Sequence, residues 1–178
     1  MQRTKLTNAE CPIARSLDEV GEWWSILLMR DALQGLKRFD EFSQSLGIAP
    51  NMLTRRLNAL VDAGMLKRVP YSQRPLRHEY LPTAKGKDFS RVLMAFIDWG
   101  NRHYAADGES VQVVHHETGA RLQLAFTDPA DGRAVAPQDC AVQPGPVASA
   151  QMRERLTLKQ RLEASAGEQM LDQPRRKG

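Results

Sequence analysis

The chain has 178 residues, is 42% hydrophobic and carries a formal net charge of +4, which suits one compact domain with appendages. No apolar run approaches the roughly 20 residues of a bilayer-spanning helix, and the opening Met-Gln-Arg-Thr-Lys-Leu-Thr-Asn has no apolar stretch resembling a secretion signal, so a soluble cytoplasmic protein with no membrane partner is expected. The charge is uneven, +4 over 1–107, −3 over 108–150 and +3 over 151–178, which argues against a diffuse polyanion binder.

Two cysteines, Cys11 and Cys140, cannot make a disulfide framework, and there is no C-x-x-C pair. The histidines, His78, His103, His115 and His116, lack zinc-ligand spacing. Neither a phosphate-cradling glycine loop nor a serine-nucleophile motif is present. No metal, cofactor or catalytic constellation is expected.

In chain order, residues 1–10 read as an N-terminal arm. Cys11-Pro-Ile-Ala-Arg-Ser-Leu-Asp-Glu-Val20 starts a helix with Pro12 at its first position. Ile13, Leu17 and Val20 line one side, and Gly21 ends it. Glu22 to Leu33 forms a second helix, apolar on more than one side and therefore the central support of the domain. Its pair Trp23 and Trp24 reads as core or dimer packing rather than as a base-stacking platform.

Phe39 to Leu81 is the segment that carries the functional expectation. Phe39, Phe42 and Leu46 have helical spacing, Gly47 allows a sharp turn, and Pro50 opens a second helix running to about Ala63, closed by Gly64. One face of that helix is Leu53, Leu57, Leu60 and Val61. Another is Asn51, Thr54, Arg55 and Asn58, side chains suited to base edges, with Arg56 beside them. Helix, glycine turn and cationic second helix form the helix-turn-helix pattern. Leu66–Tyr71 and His78–Leu81 read as strands joined by 72–77, a wing with Arg74 and Arg77 at its tip. Lys37 and Arg38, ahead of the motif, are placed for phosphate. From 50 to 91 there are nine Lys/Arg against three Asp/Glu, the clustering that phosphate neutralisation needs.

Thr83 should cap a long helix whose apolar positions include Phe89, Leu93, Phe96, Ile97, Trp99 and Tyr104. That face is wide for so small a domain, so Trp23, Phe89, Leu93, Phe96, Ile97 and Trp99 are expected at an interface with a second copy. Beyond 107, Val111–His115 and Arg121–Phe126 alternate like a hairpin, Asp128–Gly132 is a turn, and 137–150 has little pattern. Residues 151–164 suit a short basic helix, followed by a basic tail at 174–178. The expected domains are thus 1–10, 11–107, 108–150 and 151–178. The fold expected is mainly α with a small β-hairpin wing, a winged helix-turn-helix dimerising through terminal helices.

Over about 11–107 the chain resembles the HxlR-type branch of winged helix-turn-helix regulators, relatives of the MarR repressors. The resemblance rests on Cys-Pro-Ile-Ala-Arg-Ser-Leu17, the tryptophan-containing second helix and Arg38-Phe-Asp-Glu-Phe42. It extends through Leu53-Thr-Arg-Arg-Leu-Asn-Ala-Leu60, Ala63-Gly-Met-Leu-Lys-Arg68 and Arg77-His-Glu-Tyr-Leu-Pro-Thr-Ala-Lys-Gly86. It implies a cytoplasmic homodimeric transcriptional regulator, usually a repressor, on pseudo-palindromic duplex DNA. Such proteins often carry Gly-Lys-Trp where this chain has Gly21-Glu22-Trp23, and Ser or Thr where it has Ala49. The paired cysteines of some relatives' C-terminal ribbons have only Cys140 as a counterpart.

Several such relatives sense oxidants or electrophiles through an N-terminal cysteine, and Cys11 sits at the matching position. A thiol at a helix N-terminus is favoured as thiolate, so Cys11 is the redox-sensor candidate. It could pair with its own mate or with the partner's Cys140. A buried structural thiol is the plainer reading, and a small aromatic effector beside Trp23 and Trp24 is the other route to a switch. The competing function is a dimeric winged-helix interaction module that binds a protein or small ligand without sequence-specific DNA contact. The Asn51, Thr54, Arg55, Asn58 face and the arginine-tipped wing separate the two.

Overall fold

The computed structural model describes residue 6 and residues 8–158. Most of the expected N-terminal arm, the basic tail and the far half of the helix expected over 151–164 lie outside the described residues. The chain divides into two compact units between Leu124 and Ala125.

In the first unit the order is α1 (Pro12–Val20), α2 (Trp23–Leu33), α3 (Phe39–Leu46), α4 (Pro50–Asp62), β1 (Leu66–Gln73), β2 (Leu76–Pro82), α5 (Ala84–Asp88) and α6 (Ser90–Tyr104). α2 touches α1, α3, α4, α6 and β2, as its apolar composition requires. Leu28 and Met29 of α2, Phe42 of α3 and Leu53, Leu57 and Leu60 of α4 are fully buried in one core. Asp31 of α2 is buried with them at 2% exposure. It is satisfied by Arg30, at 2.7 Å, and by the Ser45 hydroxyl, which donates to it across 2.7 Å and so ties α2 to α3.

β1 and β2 form an antiparallel hairpin from Leu66↔Pro82 to Gln73↔Leu76, with the register shifting around Tyr71. The strands run further than their sequence suggests, and the connection is the two-residue turn Arg74-Pro75, whose peptide bond is cis. Arg77 therefore belongs to β2, and Arg74 alone of the two arginines stands in the turn. The polar residues 72, 73 and 77 gave no apolar alternation, so the ladder there rests on backbone bonds rather than side-chain burial. The segment before α3 joins the edge of this two-stranded ribbon by a single bridge, Arg38↔Glu79, with the Tyr80 N–H donating to the Lys37 carbonyl at 2.7 Å.

The single long helix expected after Thr83 is two helices that meet at Phe89. Thr83 does cap the first, its hydroxyl accepting from the Gly86 N–H at 3.1 Å and donating to the Gly64 carbonyl at 2.6 Å. At Phe89 one carbonyl is shared by the N–H groups of Val92 and Leu93, at 3.0 and 3.2 Å, and the regular helix is interrupted there. Phe89 packs against the core, whereas α6 buries no residue fully. An apolar repeat continuous across both parts carries no sign of such a break.

The expected hairpin over 111–126 is reduced to one bridge, Val114↔Arg121. The strands of the second unit lie further on: β3 (Phe126–Thr127) pairs with β4 (Ala134–Val135) around the Asp128–Gly132 turn. The alternation in 111–126 is not backed by burial: its apolar side chains Val111, Val114, Leu122 and Leu124 stay about half exposed. Residues 150–158 are helical. The described residues contain no helix long and apolar enough to cross a membrane.

Candidate nucleic-acid interface

α3, the turn at Gly47 and α4 set the geometry of the site. Glu41 opens α3 by accepting the backbone N–H groups of Lys37 at 2.7 Å and Arg38 at 2.8 Å. Those two bonds, aided by the cationic side chains of the same residues and opposed by desolvation, hold its carboxyl below the usual carboxylate range. Gly47 ends the helix with φ of 59°, a left-handed conformation that a Cβ disfavours. α4 then starts at Pro50 with Ala49 as its N-cap residue and no side-chain cap.

The two faces of α4 separate cleanly. Leu53, Leu57 and Leu60 are inside, while Asn51, Thr54, Arg55 and Asn58 are exposed. The Thr54 hydroxyl donates to the Pro50 carbonyl at 2.9 Å, which leaves its oxygen outward as an acceptor. Asn58 Oδ1 accepts from Arg68 Nη2 at 2.7 Å. A guanidinium can only donate, so this bond fixes which end of the amide faces β1. Arg68 thus belongs beside Asn58 on the exposed surface. Its position in a strand hid it from an argument based on one helix's periodicity, although its exposure and charge at the start of the wing were signals that pointed to it.

The remaining basic residues fall into two groups. Lys37 and Arg38 share Glu79, at 3.2 and 3.4 Å, and the Arg38 guanidinium lies 4.6 Å from the Tyr71 ring centre. They are half-exposed and partly neutralised. Arg55, Arg74 and Arg77 are exposed and, among the described residues, pair with no acidic side chain. Arg56 does not join them. Its side chain is only 13% exposed and turns inward to Glu22, with Nη2 to Oε2 at 3.0 Å.

The residues expected at an interface also divide. Trp23, Phe96 and Trp99 are exposed at 59%, 50% and 48%, as is Ile13 of α1 at 71%. Leu93 and Ile97 are half-buried, and Phe89 faces its own core. The Trp23 and Trp24 rings stack with centroids 3.9 Å apart. Cys11 is the N-cap residue of α1 and half-buried, while Cys140 is exposed. No group of three or more metal-ligating side chains occurs among the described residues.

A helix whose outer face is polar and cationic, held on the core by Leu53, Leu57 and Leu60 and flanked by an arginine-bearing ribbon, can offer donors to base edges and positive charge to phosphates. The chain is also similar in sequence to known proteins. Residues 19–108 match the family model described as HxlR-like helix-turn-helix. An uncharacterised helix-turn-helix-type transcriptional regulator of Mycobacterium tuberculosis is 33% identical over 135 residues, which is 75% of this chain and 85% of the relative. Among solved structures, the transcription-factor candidate PA1374 of Pseudomonas aeruginosa is 67% identical with a TM-score of 0.62, covering 82% of this chain and 99% of its own. A second such candidate, PA1607, is 38% identical with a TM-score of 0.71, covering 80% of this chain and all of its own, 100%. The winged helix-turn-helix fold, the family match and the relatives agree: this chain belongs to the HxlR-like helix-turn-helix family of transcriptional regulators.

Proposed function

We propose that the protein is a cytoplasmic homodimeric repressor whose winged helix-turn-helix domain, over 11–107, binds pseudo-palindromic duplex DNA. In this reading α4 enters the major groove with Asn51, Thr54, Arg55 and Asn58 toward the bases. Lys37, Arg38, Arg74 and Arg77 lie along the phosphates. The observation that carries it is the division of α4, with three leucines fully buried and the polar, cationic side chains opposite them in solvent. Dimerisation is supported by the apolar residues that α1, α2 and α6 leave exposed, more than an isolated small domain normally shows to water.

The test is a mobility shift against the DNA upstream of its own coding sequence, across a salt series. A salt-sensitive shift at one fragment is expected, and no shift with any promoter at low salt would remove the DNA reading. Release of the operator through Cys11 rests on its position at the start of α1. In that scheme an oxidant or electrophile modifies the thiol, α1 shifts at the subunit interface, and the two reading helices lose their spacing. If the Cys11→Ser protein still left its operator on oxidant treatment, the thiol switch would be wrong.

A further inference from the structure

Arg56 follows Arg55 directly in α4, yet the two side chains lead opposite lives. The Arg56 guanidinium is 3.0 Å from Glu22, the residue at the corner between α1 and α2. Its Nε is buried with no hydrogen-bond partner among the described residues, so it has given up water for this one ion pair. Removing Glu22 from such a pair leaves the little-exposed Arg56 charge poorly compensated. A second link runs alongside it: Lys85 pairs with Glu19 of α1 and donates to the Ala63 carbonyl at the end of α4, at 2.9 Å. Two carboxylates at the α1–α2 corner thereby hold the middle of α4 directly and its end through Lys85.

We infer that Arg56 is a positioning residue: with Glu22 it sets the rotation of α4 about its own axis, and so which side chains meet the bases, without itself touching DNA. This rests on the DNA-binding reading above. A helix rotated by a small angle carries Asn51, Thr54, Arg55 and Asn58 off their partners together, so the pair acts on specific binding as a unit.

The experiment measures operator affinity over a salt series for the full-length wild type and for Glu22→Gln, Arg56→Gln, their double variant, Arg56→Lys and Arg74→Gln. Circular dichroism checks that each variant is folded. Glu22→Gln and Arg56→Gln should each weaken the operator complex by about tenfold. The double variant should be no weaker than the worse single one. All three should keep the wild-type salt slope, because no phosphate contact is lost, whereas Arg74→Gln should reduce that slope by about one. Arg56→Lys, whose ammonium still reaches Glu22, should retain most of the affinity.

A slope lowered by Arg56→Gln with Glu22→Gln harmless would make Arg56 a direct phosphate contact and overturn the inference. So would wild-type binding by both single variants, or losses that simply add. If Arg56→Gln fails to fold, Glu22→Gln and Arg56→Lys carry the same comparison. A wild-type protein that shifts no fragment removes the DNA reading itself, a result visible before any variant is compared.

Discussion

Side-chain identity decides most at the proposed recognition surface. Arg55 is exposed on α4 and has no acidic partner among the described residues; in the proposed reading its fork meets a guanine edge, a contact worth about 1–3 kcal/mol of discrimination. Arg55→Gln is therefore expected to flatten base preference at one operator position, by about tenfold or more in a competition against single-base operator variants. The place of Asn58 on the exposed face of α4 was legible from spacing alone. That Arg68 holds its carbonyl was not, because the two meet only when β1 folds back along α4. The same limit applied to Arg56: spacing places it on the helix beside Arg55, but only the packed α1–α2 corner supplies the Glu22 that turns it inward.

Glu41 gives a pH-dependent expectation. Its carboxyl is held below the ordinary 4.5 by the N–H groups of Lys37 and Arg38. A depressed folded-state pKa stabilises the fold fully above the unfolded value, and that contribution is lost as pH falls through the folded value. Urea midpoints of wild type and Glu41→Gln should thus differ at pH 7 and converge as pH falls below 4.5. A gap that held constant into acid would show the charge to be irrelevant there.

Among the elements, those with a strong internal signal were legible: α3, the Gly47 turn and α4 follow from apolar spacing, a glycine and a proline. The wing's existence was legible too, but its length was not, since backbone pairing continues where side chains are polar. The long apolar repeat after Thr83 concealed the break at Phe89, because periodicity registers which residues are apolar and not which neighbour each one finds. Gly86 shows how tightly α5 is docked: a Cβ there would stand 2.1 Å from the Met65 carbonyl oxygen, a backbone atom at the start of the wing. Gly86→Ala is expected to cost roughly 2 kcal/mol or more, read as a lower denaturant midpoint, and to loosen the wing against α4. An unchanged midpoint would mean that the α5–β1 contact yields freely.

For the molecule as a whole, the exposed apolar residues of α1, α2 and α6 are the feature that one copy of the chain leaves unresolved. Their abundance was legible in sequence. Which of them turn inward was not, and Phe89 is the case that spacing misassigned to the outer face. A charge placed on that surface should separate association from folding: Phe96→Glu is expected to yield a folded monomer by light scattering, with operator affinity reduced by at least a hundredfold, since one domain alone keeps only half the contacts. A Phe96→Glu protein that remained dimeric would move the interface elsewhere.

The most direct measurement is a hydroxyl-radical footprint of the purified protein on its own upstream intergenic DNA. Two protected patches on one side of the duplex, centred about 10 base pairs or a multiple of that apart and both lost with Arg55→Gln, are expected. Protection of a single patch, or none at a concentration that saturates the protein's other measured interactions, would contradict a paired reading of successive grooves by α4.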